Sequence, residues 1–324
     1  MEKLKVAIIG CGNIAGKFDL ALPEDGFPCT HAGAYSKSKH FEILMCIDPN
    51  EHNVNLFKNK WNISESYTST PSSSDIDVVS ICSPTGSHLE SVEEAILLQP
   101  KLIFCEKPIA LNVKDTQTVI NLCDENNIIL AVNYTRRWDP EIIKLKKSVC
   151  TGEYGELRTI TAFYNKGVMN NASHLINIFQ WIFGDLTIKY VGHSYIDYET
   201  TDPTCSFVLA TNKGVEIIFS SGNSNDYTNF EAKFVFSKIE LTLLNGGMNW
   251  LRRRPVPSEN FIGYTTLSAA IIDEGGYKYA MSKAIENIYG VLSGKEELES
   301  GAGSALETQL LCESIIKKTT ISGG

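Results

Sequence analysis

The sequence lacks any long apolar run, and this absence limits where the protein can reside. No stretch of its 324 residues approaches the roughly 20 consecutive apolar residues that a membrane-spanning helix requires. The first predicted strand begins at Leu4, which leaves no room for a signal peptide ahead of it. We therefore expect a cytoplasmic protein with no membrane partner.

Basic residues are scarcer than acidic ones. The 29 lysines and arginines are outnumbered by 38 aspartates and glutamates, which gives a formal net charge of −9. Nucleic acid is not an expected partner at this charge, because its binding faces need clustered cations. The dense basic run Arg252-Arg253-Arg254, followed by Pro-Val-Pro, is predicted to be a loop. It is either a patch for an anionic substrate or a solvated charge run.

Cysteine spacings typical of metal sites are also missing. The nine cysteines are scattered, largely through apolar segments, and no pair has the spacing of a metal clip. We interpret them as reduced, small, buried side chains, and we expect no metal. Cys11 differs because it lies inside a glycine loop, yet nothing in the sequence gives it a base or a redox partner.

What the sequence does contain is a change of pattern along the chain. Strand and helix patterns alternate through residues 1–132, which is typical of a doubly wound parallel sheet. Strands with a period near two then dominate residues 133–324, with a few helices among them. The predicted fold class is an α/β Rossmann N-terminal domain followed by an α+β C-terminal domain with a large, mostly antiparallel sheet. The second domain is expected to bind substrate and to mediate oligomerisation.

The first predicted strand leads into the glycine loop Gly10-Cys11-Gly12-Asn13-Ile14-Ala15. This G-x-G-x-x-A pattern between a strand and a predicted helix is the context of a dinucleotide fingerprint. Gly10 would permit the tight turn, and Gly12 would let the backbone approach a pyrophosphate. Amides at the start of the helix, around Asn13 and Ile14, would point at the phosphates.

The second predicted strand ends in Asp48, some three dozen residues after the loop. A carboxylate at this position accepts the ribose hydroxyls of adenosine and repels a 2′-phosphate. No arginine follows in Pro49-Asn50 to hold such a phosphate, so NAD is favoured over NADP. The spacing exceeds the roughly 20 residues of the compact motif. An insertion across residues 20–40 is therefore expected to form a loop.

Two further strands end in groups that suit a ligand crevice, because the carboxyl ends of parallel strands face it. One ends in Ser83-Pro84-Thr85, with His88 close behind, near where nicotinamide would extend. The other runs straight into Glu106-Lys107-Pro108. A lysine at the end of a buried strand is costly unless something uses it. By itself, however, Glu-Lys-Pro also fits an exposed surface loop.

The predicted helix over residues 170–183 carries an unusual polar stripe. Asn170, His174, Asn177 and Trp181 share one face, whereas apolar residues form another. His174 can exchange a proton near neutrality. The stripe either satisfies structural hydrogen bonds or contacts a ligand.

The order of these motifs resembles the Gfo/Idh/MocA family of sugar and polyol oxidoreductases. The resemblance covers positions 1 to about 185 and includes Asn133-x-x-Arg136-Arg137-Trp138 and His174 before Trp181-x-x-Gly184. It implies that Lys107 contacts both nicotinamide and substrate and that His174 is the catalytic acid/base. The implied cofactor-binding residues are Gly10, Gly12, Asn13, Ile14, Asp48, Ser83, Pro84, Thr85, His88, Glu106 and Lys107. The implied substrate-binding residues are Lys107, Arg137, Asn170, His174 and Asn177.

The sequence departs from the family at two positions. The family commonly has aspartate four residues before the histidine and three residues after it, where this chain has Asn170 and Asn177. Asparagine can hydrogen-bond a hydroxyl but cannot accept its proton. The asparagine at position 170 resembles the residue found there in the branch of the family that oxidises nucleotide-sugar acids. This resemblance favours a nucleotide-sugar substrate.

These patterns predict an NAD-dependent dehydrogenase acting on a sugar, polyol or nucleotide sugar, with Lys107, His174 and Asn170 as catalytic residues. The Lys107 ammonium and the His174 imidazole are expected to converge beside the nicotinamide ring. Two alternatives remain: an NAD-dependent glycosidase that uses transient oxidation, and a non-catalytic dinucleotide-binding regulator. An exposed sheet face in the second domain is expected to make a homodimer or homotetramer.

Overall fold

The chain is described from a computed structural model that covers residues 2–72 and 74–321. The described residues form two compact units. The first extends as far as Asp139 and also includes Lys278–Glu307, and the second comprises Pro140–Tyr277 and the chain from Thr308 onward. No helix in the described part of the chain is both long enough and apolar enough to cross a membrane.

Short elements dominate the chain. The helices, in chain order, are α1 (His31–Lys37), α2 (Glu51–Trp61), α3 (His88–Leu97), α4 (Val113–Glu125), α5 (Pro140–Cys150), α6 (Ser173–Phe183), α7 (Ala280–Leu292) and α8 (Ala302–Lys318). The strands, in chain order, are β1 (Leu4–Ile9), β2 (Phe41–Ile47), β3 (Glu65–Tyr67), β4 (Val78–Ile81), β5 (Leu102–Cys105), β6 (Ile129–Val132), β7 (Leu157–Tyr164), β8 (Leu186–Tyr195), β9 (Thr204–Thr211), β10 (Glu216–Ser221), β11 (Phe230–Phe236), β12 (Glu240–Leu244), β13 (Asn249–Arg253), β14 (Pro255–Pro257), β15 (Thr265–Leu267), β16 (Ile271–Glu274) and β17 (Thr320–Ile321).

The first unit is built on a six-stranded parallel sheet in the order β3-β2-β1-β4-β5-β6. Every residue of the central strands β4 and β5 is buried, because helices cover both faces of the sheet. The strand order reverses between β1 and β4, and the crevice beside such a reversal is where dinucleotides bind in this architecture. The predicted Rossmann fold class is confirmed.

The prediction of a helix directly after the glycine loop is wrong, because the first α-helix begins further along the chain. Residues 12–15 form turns, a single 3-10 turn follows at Lys17–Asp19, and α1 begins only at His31. The amides of His31 and Ala32 then donate to the carbonyls of Ile14 and Ala15 at 3.2 and 2.8 Å. The chain therefore leaves the first helical turn after Ala15, makes an excursion over residues 16–30, and resumes the helix at His31.

A buried carboxylate closes this excursion. Asp19 accepts hydrogen bonds from the amides of Cys29 and Thr30 and from the Thr30 hydroxyl, the last at 2.5 Å. The Thr30 hydroxyl in turn accepts the Gly33 amide and so caps α1. Residues 20–40, predicted to be a loop, thus include a capped helix, because the first helical turn had already formed ahead of the inserted segment.

The first unit also takes back a segment from the C-terminal half of the chain. The sequence suggested a boundary at residue 132, whereas the units divide after Asp139, and Lys278–Glu307 lies with the first unit. Apolar residues of α7, including Met281 and Ile285, pack in the core cluster that holds Val6 and Phe104. Burial of this apolar face explains why a helix so distant in sequence joins the Rossmann sheet.

The second unit is built on a nine-stranded sheet in the order β16-β13-β12-β11-β7-β10-β9-β8-β17. Most neighbours are antiparallel, and β10-β7 and β17-β8 are parallel pairs. Helix α6 buries Phe179 against Phe219 and Phe234 of the sheet, so one sheet face carries the core. The predicted large, mostly antiparallel sheet is confirmed.

The prediction of a loop at Arg252-Arg253-Arg254 is wrong, because β13 extends to Arg253 and β14 begins at Pro255. Arg252 forms ion pairs with Glu141 and Asp273, and Arg253 lies 3.7 Å from Glu240. Carboxylates therefore neutralise two of the three arginines. The anionic-substrate interpretation of this run loses its main support.

Candidate active site

A cavity of about 740 Å³ opens in the first unit where β1, β2 and β4 end. Its walls bring together residues from three separated motifs, as expected from the parallel arrangement of the strands. The predicted cofactor-binding residues in these walls are Gly10, Gly12, Asn13, Ile14, Asp48, Ser83 and Pro84.

The two glycines of the loop serve different physical needs. Gly10 has a φ of +89°, and a Cβ atom built on it would lie 2.5 Å from the Ser83 amide nitrogen. Only glycine fits there, because the β1 and β4 turns are nearly in contact. A Cβ atom on Gly12 would meet no atom within 4 Å, although Gly12 lines the cavity. The space beside Gly12 is therefore open to a ligand.

Three residues of the cavity wall have backbone amides without an acceptor in the described part of the chain. The amides of Gly12, Asn13 and Ile14 donate to no other residue within the described ranges 2–72 and 74–321. Although the long helix was misplaced, the first helical turn at residues 12–15 still presents amides as a phosphate site requires. The residues present fit a dinucleotide pyrophosphate.

Asp48 is held rigidly at the end of β2. Its Oδ2 accepts the Cys11 amide at 2.8 Å and its Oδ1 accepts the Asn50 amide at 2.9 Å. The Cys11 bond ties the carboxylate directly to the glycine loop. The charged residues in the cavity walls are Asp48, Glu90 and Glu94, all of them acidic.

His88, by contrast, does not line this cavity, and neither does Thr85. The imidazole of His88 is 1% exposed, and its two nitrogens each lie 2.9 Å from a backbone carbonyl, of Ser83 and of Pro108. His88 thus links the turn after β4 to the turn after β5.

Glu106 lies in a buried polar network that sequence reasoning missed. His31 Nε2 is 3.0 Å from Glu106 Oε1, and the Asn133 amide donates to the same oxygen at 2.6 Å. The other His31 nitrogen lies 3.2 Å from the Ser80 hydroxyl. A partner for Glu106 was to be expected, since a carboxylate at the end of a buried strand needs one. Sequence offered no means to choose His31.

This network lowers the pKa of Glu106. Burial by itself raises the pKa of this carboxyl, but the hydrogen bond and charge of His31, together with Asn133 and Lys107, outweigh burial. Glu106 is therefore held as a carboxylate directly beside Lys107. The Lys107 amide donates to Glu106 Oε2 at 3.3 Å, and the Lys107–Pro108 peptide bond is cis.

Arg137, a predicted substrate contact, is 6% exposed and donates to the Glu299 carbonyl at 2.9 Å. Burial lowers the pKa of its guanidinium to about 10. Its contacts in the first unit anchor the segment around Glu299, and a substrate contact for Arg137 stays a prediction.

The second unit carries the predicted acid/base on α6. The His174 ring is half-buried and meets Phe230 edge to face, with ring centroids 6.3 Å apart. Asn170 lies in a π-helical turn just before α6, and its side-chain amide donates to the Lys166 carbonyl. Asn177 is fully buried and donates to the Thr308 hydroxyl at 2.9 Å, an arrangement that holds α8 to α6. Among the residues of the polar stripe, Asn177 thus makes a structural hydrogen bond.

Cys11 is chemically quiet despite its place in the glycine loop. A hydrogen bond with Cys46, burial and the charge of Asp48 all raise the pKa of its thiol far above the ordinary value. A thiol in this state is a poor nucleophile.

The first unit is similar in sequence to known oxidoreductases. Residues 4–134 match the family model GFO_IDH_MocA, described as an oxidoreductase family with an NAD-binding Rossmann fold. The chain is 34% identical over 87 residues to inositol 2-dehydrogenase of Rhizobium meliloti, which covers 27% of this chain and 26% of that enzyme. The chain spans less than half of the length of the inositol dehydrogenases it matches.

Solved structures share the fold over nearly the whole chain. An oxidoreductase from Agrobacterium radiobacter, in complex with NAD+, L-tartaric acid and magnesium, has a TM-score of 0.75 at 18% identity and covers 98% of this chain and 96% of its own. The super-repressor mutant of Gal80p from Saccharomyces cerevisiae has a TM-score of 0.79 at 15% identity, with the same coverage. At sequence identities of 18% and 15%, these comparisons show a shared fold only.

Proposed function

We propose that this chain moves a hydride between a hydroxyl-bearing carbon and a nicotinamide dinucleotide, because its residues 4–134 match the model of the GFO_IDH_MocA oxidoreductase family. The proposed substrate is a sugar, a polyol or a nucleotide sugar. The observation that carries the proposal is the cavity in which Gly12 leaves room for a ligand while Asp48 is fixed by the Cys11 amide. Those features suit the two ends of an adenosine diphosphate moiety.

We favour NAD over NADP as the cofactor. The acidic residues of the cavity wall, Asp48, Glu90 and Glu94, would repel a 2′-phosphate. Lys17 lies nearby but donates to the Asn53 side chain at 2.9 Å. Asp48, with both oxygens already oriented by backbone amides, is poised to accept ribose hydroxyls.

When bound, the dinucleotide supplies the hydride acceptor, and the residues of this chain supply geometry and charge. His174 is proposed to take the hydroxyl proton, since imidazole exchanges protons near neutral pH. Lys107 would stabilise the developing negative charge on the hydroxyl oxygen. Asn170 would orient that hydroxyl through its amide but could not accept its proton. Arg137 and Asn177 are further proposed substrate contacts, and each also has a partner within its own unit.

The test is direct. The purified protein is analysed for copurified nucleotide and then assayed for reduced nicotinamide with NAD+ and a panel of UDP-sugars, simple sugars and inositols. The proposal expects NAD-dependent turnover with at least one member of the panel. Sugar release without net formation of NADH would instead indicate the glycosidase chemistry.

A non-catalytic regulator is the second candidate. Asn170 and Asn177 favour it, since neither can act as a base, and the fold is shared with Gal80p. Binding of NAD without turnover over the whole panel would support it. The half-buried His174 and the Glu106-Lys107 pair favour the enzyme.

We further propose that the outer face of the large sheet forms a homodimer or homotetramer contact in a cytoplasmic protein. Tyr190, Val208 and Ile218 are cross-strand neighbours on that face, and Tyr190 is 59% exposed. Light scattering of wild type and of an Ile218→Lys variant tests this contact. The proposal expects an oligomer that the substitution weakens.

A further inference from the structure

The turn that leads into α6 is held by an unusual series of hydrogen bonds. Five consecutive backbone amides, from residue 166 to residue 170, all donate to one segment that lies about thirty residues downstream. The bonds run from Lys166 to Asp197 Oδ2 (3.1 Å), Gly167 to Thr204 Oγ1 (2.7 Å), Val168 to the Pro203 carbonyl (3.1 Å), Met169 to Asp202 Oδ1 (2.8 Å) and Asn170 to Asp202 Oδ2 (2.7 Å).

The acceptors are themselves fixed. Asp202 is 6% exposed and Thr204 is fully buried. The Thr204 hydroxyl donates to Asp197 Oδ1 at 2.6 Å, and Asp197 also accepts the Ser224 amide at 2.9 Å. The turn is thus held by a pre-organised polar cluster, and the three amide bonds to Asp197 and Asp202 are of the stronger, charge-assisted kind.

Close packing makes the arrangement specific. Gly167 has a φ of +86°, and a Cβ atom on it would lie 1.9 Å from Asp202 Oδ2. The carboxylate can approach the turn only because residue 167 lacks a side chain.

Local sequence provides no substitute for Asp202. Neither Gly167 nor Ala172, which occupy the cap positions of the π-helical turn and of α6, makes a side-chain capping bond. The amides of Asn171 and Ala172 both donate to the Gly167 carbonyl, and the bond from Ala172, which spans five residues, forms the wide turn of a π-helix. The first amides of a helix need acceptors, and Asp202 supplies them here from the bend just before β9.

We propose that Asp202 and Thr204 are positioning residues for Asn170 and His174. The inference rests on the proposed function, since it assigns a catalytic use to the α6 face. His174 follows Asn170 by four residues, so the pitch of the intervening turn sets their relative orientation. Asp202 fixes the amide of Asn170 itself. Small displacements of catalytic groups lower turnover more than they lower cofactor binding.

Strand β9 offers a matched pair of threonines for the test. Thr204 opens the strand and accepts the Gly167 amide, whereas Thr211 ends it and accepts the Val215 amide at 3.2 Å. Thr204→Val and Thr211→Val each remove a bond from a backbone amide to a hydroxyl, at opposite ends of one strand, and Thr204→Val also removes the bond to Asp197. Asp202→Asn removes one of two acceptors, since its amide nitrogen can only donate.

The first measurement is the carbon-proton NMR signal of the His174 ring, assigned with His174→Gln, and it requires no activity. We expect this signal to shift in Asp202→Asn and in Thr204→Val, and to stay in place in Thr211→Val. With an active substrate in hand, Asp202→Asn is expected to lower kcat about tenfold while the dissociation constant for NAD+ changes by less than about twofold. An unmoved His174 signal in a folded Asp202→Asn protein would overturn the inference. Failure of the substrate panel with a shifted signal would instead count against the proposed function alone.

Discussion

Glu106 Oε1 lies 3.0 Å from His31 Nε2, which joins the end of β5 to the first residue of α1 across 75 positions of sequence. The pair is nearly dry, with the His31 side chain fully buried and that of Glu106 14% exposed. It holds the carboxylate that adjoins Lys107, so the stability of the Rossmann unit and the setting of the proposed catalytic lysine depend on the same contact.

Glu106 should therefore make stability depend on acid pH. Its pKa is lower in the folded protein than in the unfolded chain, so its contribution is fully present above the unfolded pKa of about 4.3 and is lost as pH falls through the folded value. Glu106→Gln should lower the free energy of unfolding at neutral pH by about 1–3 kcal/mol. It should also flatten the fall in stability below about pH 4.5.

Urea unfolding over a pH series measures this effect. Glu286→Gln is the control, because Glu286 is a surface residue paired only with Lys283 among the described residues. Equal acid profiles for wild type and Glu106→Gln would contradict the assignment.

Substitutions at the two loop glycines should affect different properties, protein stability at Gly10 and NAD binding at Gly12. Gly10→Ala places a Cβ atom 2.5 Å from the Ser83 amide at a positive φ, so it should cost about 3 kcal/mol or more. Gly12→Ala meets open space and should change stability by less than about 1 kcal/mol. It should nevertheless weaken NAD binding about tenfold or more, because the methyl group fills the approach to the loop amides.

Thermal unfolding and NAD titration of both variants provide the comparison. If Gly12→Ala binds NAD with the affinity of the wild type, the pyrophosphate does not lie against Gly12, and the prediction is contradicted.

Cofactor choice should depend on Asp48. Asp48→Ser removes the carboxylate that the Cys11 and Asn50 amides orient, and the ratio of kcat/KM for NADP to that for NAD should rise by at least about tenfold. Glu51→Gln, an exposed acid at the start of α2, controls for a general change of charge. An unchanged ratio in Asp48→Ser would contradict the role given to the acidic wall.

Two exposed cysteines should react at different rates. Partial burial and the adjacent Asp19 carboxylate raise the pKa of Cys29 to about 12, so little thiolate forms near neutrality. Cys150 is exposed at the end of α5 and should be alkylated by iodoacetamide at least about tenfold faster. Peptide mass mapping over time distinguishes them, with Cys150→Ser as the control, and faster labelling of Cys29 would contradict the pKa assignment.

The sequence predicted those features that depend on local pattern. The regular apolar periods over residues 113–125, 157–164 and 186–195 predict one helix and two strands with those bounds. Helix α4 and strands β7 and β8 have these bounds, because turn residues flank each regular pattern. The glycine loop, Asp48 and Ser83 come together as expected, since parallel strands place their carboxyl ends at one edge.

Long-range partners were not predictable. The excursion over residues 16–30 separates α1 from its first turn, and nothing local shows that His31 resumes the helix of Ala15. Arg252 resembles a loop residue beside prolines, yet its charge is neutralised by Glu141, more than a hundred residues away. No local sequence motif marks Asp202 as a helix-capping residue, because the Asn170 amide from which it accepts a hydrogen bond lies 32 residues earlier.

Hydride transfer assisted by Lys107 can be tested with one pair of variants at the two ends of β5. Lys101→Ala removes a lysine that precedes the strand and pairs with Asp77, whereas Lys107→Ala removes the one that follows it. Formation of reduced nicotinamide is followed with the best substrate of the panel, beside NAD titrations of both proteins. We predict that Lys101→Ala retains activity, and that Lys107→Ala loses turnover while its NAD affinity stays within a few-fold. Full activity in Lys107→Ala would contradict a catalytic role for Lys107.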